Sequence, residues 1–368
     1  MAPRPRRRAA PARIPAWFLV VSIALAFASR PDAQDVSGDA SPRTVEFVSR
    51  TMGTQARIAI VTADSAAAWP MARAAQSAFS RVDSLMSNWT TTSEVARLNR
   101  QPPGVATEVH PEVARVIAAA VEVGQASDGA FDLTVEPLVR AWGFLDGRPR
   151  VPDDSTALVA VARVGWKHLG YDAKARRLVL HKEGVRIDLG GIAKGHGVDA
   201  AADTLRARGV ANALVDLSGN MFALGAPAGA PAWRIGIRDP RDRRPYFARL
   251  SLTGEAISTS AKYEQFVARD GRTYGHIMDP RTGRPAEGLI AVTVVAPTAM
   301  AADGWSTALF VLGARDAMRI AAGRPELHAV LVAPAAAGPD TVFVERSLAD
   351  RFALEPGAAA DFRVEFFD

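Results

Sequence analysis

The sequence predicts an α+β fold in which helices are mixed with largely antiparallel strands. Three observations carry that reading. Segments of helical and of strand periodicity alternate irregularly, with no steady strand-helix rhythm. In QFVARDGRTYGHI, Asp270-Gly271 stands between two strand-like runs, a hairpin signal. A second strand pair, RTVEFVSRTMGTQARIAIVT, turns near Gly53.

The 368-residue chain starts with an export signal over 1–28: Arg4, Arg6, Arg7 and Arg8, an apolar run from Ala16 to Ala28, and small residues Ala26 and Ala28 around a cleavage site. The apolar run is short for a membrane span, and an uncleaved N-terminal anchor is the alternative. Residues 29–43 carry no periodicity and read as a flexible linker. The folded body covers 44–346, and 347–368 form a C-terminal extension with little signal.

Within the body, AWPMARAAQSAFSRVDSLMS predicts a helix with Pro70 in its opening turn. Val113, Val116, Ile117, Ala120 and Val121 recur at helical spacing after Pro111, which suits the first helical position. NALVDLSG, WRIGIRD and FARLSLTG read as strands.

Charge and cysteine content exclude several function classes. Five of the 44 basic side chains (Arg4, Arg6, Arg7, Arg8 and Arg13) lie in the leader, and the remaining 39 balance the 39 acidic residues. The net charge of +5 therefore belongs to the leader, and a nucleic-acid footprint on the body has no support. The absence of cysteine excludes disulfides, thiolate metal sites and a lipidated cysteine.

Four clusters depart from core patterning. ASDGAFDLTVEPLVRAWGF breaks a helix at Asp128-Gly129, and its plain reading is a turn feeding a buried Phe131. DLGGIAKGHGVDAAADTLRARG reads as a strand, a glycine-dense turn with Lys194 and then a helix, which presents backbone N–H groups to phosphate oxygens. It lacks the spacing of a P-loop or a dinucleotide fingerprint, so a tight turn that needs glycine is the alternative. In AADGWSTALFVLG, Asp303 and Thr307 share one helical face and suit a hard cation such as Mg²⁺; the alternative is a helix cap with Asp303 at N-cap and Ser306 at N3. In YGHIMDPRTGRP, His276 is either a general base or a hydrogen-bonded loop histidine.

In chain order, MGT (52–54), SNW (87–89), GAFD (129–132), DLGGIAKG (188–195), HIMDPRTG (276–283) and ADGWSTALFVLG (302–313) together resemble the ApbE family of FAD:protein FMN transferases. The resemblance runs from about Val45 to about Val344 and implies one catalytic unit with room for two subdomains. It implies an extracytoplasmic, Mg²⁺-dependent enzyme that transfers FMN from FAD to a threonine or serine of a partner flavoprotein and releases AMP. On this likeness Met52, Trp89, Ala130, Phe131, Asp132, Asp188, Lys194 and Ile277 contact FAD. Gly191, through its carbonyl, joins Asp303, Ser306 and Thr307 at Mg²⁺, and His276 is the base. Trp89 stands where many relatives carry tyrosine, and the lipidated cysteine of many members is missing, so membrane association would come through the acceptor or an uncleaved leader. Two other functions fit the same residues: an FAD pyrophosphatase giving FMN and AMP, and a flavin-binding protein without turnover.

Overall fold

The structure, a computed structural model, describes residues 41–368. The export signal lies outside the described residues, as does nearly all of the linker. A nine-stranded sheet forms the centre, in the order 43–51, 54–62, 213–217, 220–224, 255–261, 291–296, 328–333, 340–345, 362–367. Every neighbouring pair is antiparallel except the last, where 340–345 and 362–367 run parallel. Residues 347–368 thus supply an edge strand of this sheet, and Phe352–Leu354 joins a smaller sheet with 246–252 and 233–238.

Three hairpin turns follow from local chemistry. Met52-Gly53, Ser218-Gly219 and Asp270-Gly271 each join paired strands through two residues of positive φ. That geometry matches the right-handed twist of the flanking strands, and glycine adopts it without steric cost. The hairpin expected at Asp270-Gly271 is present, with Arg269 opposite Arg272, and His276 directly follows its second strand.

Ala213–Leu217 and Ala291–Ala296 are buried at every residue, so both faces of the central sheet are covered. On one face Ile58, Val215, Phe222, Ala256, Val294 and Leu331 merge into a single apolar cluster with the helices Ser65–Met86, Pro111–Ala126, Ala193–Arg206 and Ala299–Leu312. On the other side of the molecule Phe247 of the small sheet meets Phe362 of the large one, ring centroids 4.6 Å apart.

The Ala193–Arg206 helix packs against both Ser65–Met86 and Ala299–Leu312, and glycine permits it. A Cβ on Gly195 would lie 2.2 Å from the Ala299 carbonyl oxygen, and one on Gly197 would lie 3.3 Å from the Phe79 ring. A second, smaller apolar cluster of Leu138, Trp142, Phe144, Ala160 and Met278 backs the 266–275 hairpin through Val267 and Tyr274.

Two local expectations are corrected. The first long helix begins at Ser65, capped by Asp64, whose carboxylate accepts from Ala66 and Ala67 N–H; Pro70 is therefore inside the helix and not in its opening turn. No strand precedes the glycine turn. The stretch up to Leu189 is extended, but Asn99 takes both the N–H and the carbonyl of Ile187, so side chains replace a partner strand.

Candidate active site

Asp303 is the fifth residue of the Ala299–Leu312 helix and is only 3% exposed. It does not cap that helix. Thr298 is the N-cap, its hydroxyl accepting from Ala301 N–H at 3.2 Å, and Asp199 accepts from Ala299 and Met300 N–H at 2.7 and 2.9 Å. With those donors satisfied upstream, the Asp303 carboxylate turns to the neighbouring helix, where Oδ2 accepts from Gly195 N–H at 2.9 Å and Oδ1 lies 3.9 Å from Lys194 Nζ. Burial raises its pKa, against the Lys194 charge and the Gly195 and Ser258 hydrogen bonds. Gly195 N–H lies in the first turn of the Ala193–Arg206 helix, whose N-terminal dipole favours that negative charge. Lys194 also belongs to that first helical turn, and it donates to Gly190 O at 3.2 Å.

Around Asp303 the oxygen donors accumulate. The Thr307 and Ser306 hydroxyls donate to the Asp303 carbonyl at 3.3 and 3.0 Å. Ser306 is fully buried, its hydroxyl also 2.9 Å from Ser260 Oγ and 3.3 Å from Ser258 Oγ, while Ser258 donates to Asn220 Oδ1 at 2.6 Å. Thr307 lies nearer the opening: a Cβ on Gly191 would sit 3.5 Å from its Oγ1 and 3.2 Å from the Phe131 ring. Gly191, Thr307 and Asp303 thus face a common space walled by Phe131. A desolvated carboxylate with the Thr307 and Ser306 hydroxyls beside it is the oxygen-donor chemistry Mg²⁺ takes, and these residues fit that ion. Bound there, the cation would reverse the upward shift of Asp303.

His276 enters from the other side, on the hairpin. Gln265 carbonyl accepts from both His276 N–H at 3.0 Å and Nδ1 at 3.3 Å. A carbonyl can only accept, so Nδ1 carries the proton and Nε2 keeps its lone pair. Phe144 stands edge-on to the imidazole with centroids 6.3 Å apart. Burial, reinforced by the charge of Lys194, pushes the His276 pKa down to about 4, so the ring is neutral at physiological pH.

The remaining residues named from the sequence divide into two groups. Asp188 stands at the mouth, its Oδ1 accepting from Gly190 N–H at 2.7 Å and its pKa raised by burial. Trp89 is 65% exposed on an adjoining loop, which Asn88 ties to Ile187 O at 3.1 Å. Ala130 and Phe131 are buried beside Gly191, and Ile277 packs between His276 and the main core. Met52 is half-buried in its hairpin turn at the sheet end shared with Ser218-Gly219. Asp132 is occupied elsewhere: Oδ1 accepts from Thr134 N–H and hydroxyl at 2.8 and 2.6 Å, and Oδ2 from Trp166 N–H at 2.7 Å. It fastens the Phe131 wall to the 165–166 turn.

Ser258, Ser260, Asn220 and Glu264 escaped the sequence reading. Glu264 senses the site electrostatically: its carboxyl is shifted upward by desolvation, held back by Lys194 and raised further by Asp303. The only sequence signal for the serines is the STS alternation in EAISTSA, which turns Ser258 and Ser260 to the same face of one strand.

The geometry has counterparts in known proteins. The model of the ApbE family matches residues 52–331. An FAD:protein FMN transferase of Salmonella typhimurium is 34% identical over 287 residues, spanning 76% of this chain and 82% of that protein. The flavin transferase ApbE from Vibrio cholerae superposes with a TM-score of 0.76 at 30% identity, covering 84% of this chain and 99% of its own. The apo form of Pseudomonas stutzeri flavinyl transferase ApbE gives 0.72 at 34% identity, covering 82% and 94%.

Proposed function

The chain belongs to the ApbE family, and from that premise we propose that it is an FAD:protein FMN transferase that takes FAD as substrate and places FMN on a threonine or serine hydroxyl of an extracytoplasmic flavoprotein. The acceptor oxygen attacks the FMN phosphorus of FAD, the pyrophosphate P–O bond to the adenylate breaks, and AMP leaves. The observation that carries this reading is the meeting of an imidazole with a free Nε2 lone pair, an ammonium and a buried carboxylate around one opening.

Each residue has a task in that step. A threonine hydroxyl is a weak nucleophile at neutral pH, and Nε2 of His276 accepts its proton as the O–P bond forms. Lys194, within reach of both Asp303 and His276, offsets negative charge on the phosphate oxygens. Mg²⁺, held by Asp303, Thr307 and the Gly191 carbonyl, would supply further neutralisation of pyrophosphate charge when bound. Ser306, sealed behind them, holds the carbonyl of Asp303 in place together with Ser258 and Ser260. Phe131 and the exposed Trp89 offer aromatic surface to the flavin or adenine rings.

The leader supports export to the periplasm or an equivalent compartment. Incubating the purified protein with FAD, Mg²⁺ and an acceptor peptide, then weighing the peptide, tests the reading. The expected result is an FMN adduct with one AMP released per adduct. AMP and free FMN with no adduct would assign a pyrophosphatase, and unchanged FAD would leave a flavin binder.

A further inference from the structure

Next to the active site, and sharing none of the residues assigned to it, lies an open cavity of about 670 Å³. It is bordered by the helices Glu136–Ala141 and Asp154–Val161 and by the loop 182–186. Arg140, Arg150, Arg163, Lys182 and Arg186 line it, against Glu136 and Glu183 as its only acidic members. The body as a whole is charge-balanced once the leader is set aside, so this cationic excess is local.

Three of these cations are committed to internal partners: Arg140 and Arg186 to Glu136, at 2.5 and 3.6 Å, and Arg150 to Asp146 at 2.8 Å. Arg163 and Lys182 make no ion pair among the described residues, yet both are held. The Arg163 side chain lies across Gly184, where a Cβ would come within 2.5 Å of its Nε, and Lys182 Nζ donates to the Ala162 carbonyl. Glu136 is 1% exposed, and its Oε1 accepts from Arg140 and lies 3.6 Å from Arg186, so it anchors the inner wall of the cavity.

The wall is shared with the active site. Asn99 lines the cavity, and the same side chain grips the N–H and carbonyl of Ile187, one residue before Asp188. An occupant of the cavity therefore rests against the segment that positions the glycine turn.

We propose that this cavity docks an acidic, extended segment of the acceptor protein, an inference that rests on the transferase reading above. Carboxylates of such a segment pair with Arg163 and Lys182, the two lining cations that make no ion pair among the described residues. Val159, 53% exposed at the rim, gives an apolar contact between the charges. A free phosphate satisfies the same cations but leaves the exposed apolar Val159 at the rim without a contact. The volume falls in the range of about 300 to 1,000 Å³ typical of specific sites.

The test uses two fluorescent threonine peptides, identical except that one carries Asp-Asp-Glu and the other Asn-Asn-Gln, with binding to the full protein read by anisotropy. The acidic peptide is expected to bind at least tenfold more tightly, and to lose that margin as salt rises from about 50 to 500 mM, because exposed charges are screened. In Arg163→Gln/Lys182→Gln the margin should fall below threefold while FAD affinity stays within twofold, and the charge-reversed Arg163→Glu/Lys182→Glu should abolish it. Equal binding of the two peptides by the native protein, or an undiminished margin in both variants, overturns the proposal. Displacement of the acidic peptide by equimolar inorganic phosphate or AMP overturns it in favour of a small-anion site. Acidic-peptide preference without any FMN transfer sustains the groove and removes the transferase reading, so the two stand or fall separately.

Discussion

The two halves of the active site are built to different standards of rigidity. Asp303, Ser306, Thr307 and Gly195 sit where two helices cross the central sheet in the largest apolar cluster, and Asp303 and Ser306 are almost wholly buried. His276 hangs from a two-stranded hairpin whose Val267 and Tyr274 pack on the satellite cluster around Trp142 and Phe144. The difference teaches that the residues proposed to hold charge and phosphate are fixed by the fold core, whereas the proposed proton acceptor is carried by a peripheral element. Changes to the first half should therefore hit binding, chemistry and stability together. Changes to the second should separate them.

The largest effect is expected at Asp303. Asp303→Ala should abolish transfer beyond about 10⁴-fold, and Asp303→Asn nearly as far, since neither supplies the buried carboxylate that faces Lys194. Calorimetric titration with Mg²⁺ and FAD should show weakened binding of both. A folded Asp303→Ala protein with native turnover breaks the assignment of this half.

His276→Asn should slow transfer by about 10²- to 10⁴-fold while FAD affinity holds, the separation that the comparison demands. Since the His276 pKa is pushed down to about 4, kcat/KM should climb with pH around that value and be flat through neutrality. The linkage has a definite sign: the folded pKa lies below the ordinary 6.5, so the neutral ring favours the native state. Stability gained from it is complete above about 6.5 and is lost as pH falls toward about 4. Denaturation midpoints of native protein and mutant, measured across that window, should converge at its acid end.

Gly195→Ala tests the core half without touching a ligand. The added Cβ meets the Ala299 carbonyl at 2.2 Å, so the helices must part, at a cost of about 1 to 3 kcal/mol and with reduced activity, readable by thermal melting. The smallest effect belongs to Trp89. Trp89→Ala should weaken FAD binding by about 0.5 to 1.5 kcal/mol, Trp89→Tyr should restore most of it, and kcat should change little.

The local features of the fold were legible in the sequence because their causes are local. Asp270-Gly271 and the turn at Gly53 announce themselves through positive-φ residues between alternating runs, and Pro111 opens its helix as its fixed φ requires. The helix break at Asp128-Gly129 is equally direct, with both residues at positive φ. The start of the Ser65–Met86 helix was misplaced although its cap, Asp64, is local; the other misreadings arose where distant residues intervene. Asp303 resembled a cap because the sequence does not show that Thr298 and Asp199 have already taken the helix's first donors. The stretch before Gly190 resembled a strand, and Asn99, 88 residues upstream of Ile187, supplies the bonds a strand would have. Ser258, Ser260 and Glu264 join the site only through sheet pairing and chain reversal, and no spacing rule reaches that far. The motif order identified the family, but the hydrogen bonds that bury Ser306 among Ser258 and Ser260 and fasten Asp132 to Thr134 and Trp166 emerge only from their partners.

The grip of Gln265 on His276 has a kinetic consequence. With Nδ1–H held by a carbonyl, the ring has a single exchangeable port, and under the proposed base role a proton taken at Nε2 would depart through the same opening. Resetting the enzyme is thereby coupled to emptying that opening, so the modified acceptor has to withdraw before the ring returns to solvent equilibrium. A solvent-deuterium effect on the steady-state rate that is absent from the first turnover is the signature of such a gate.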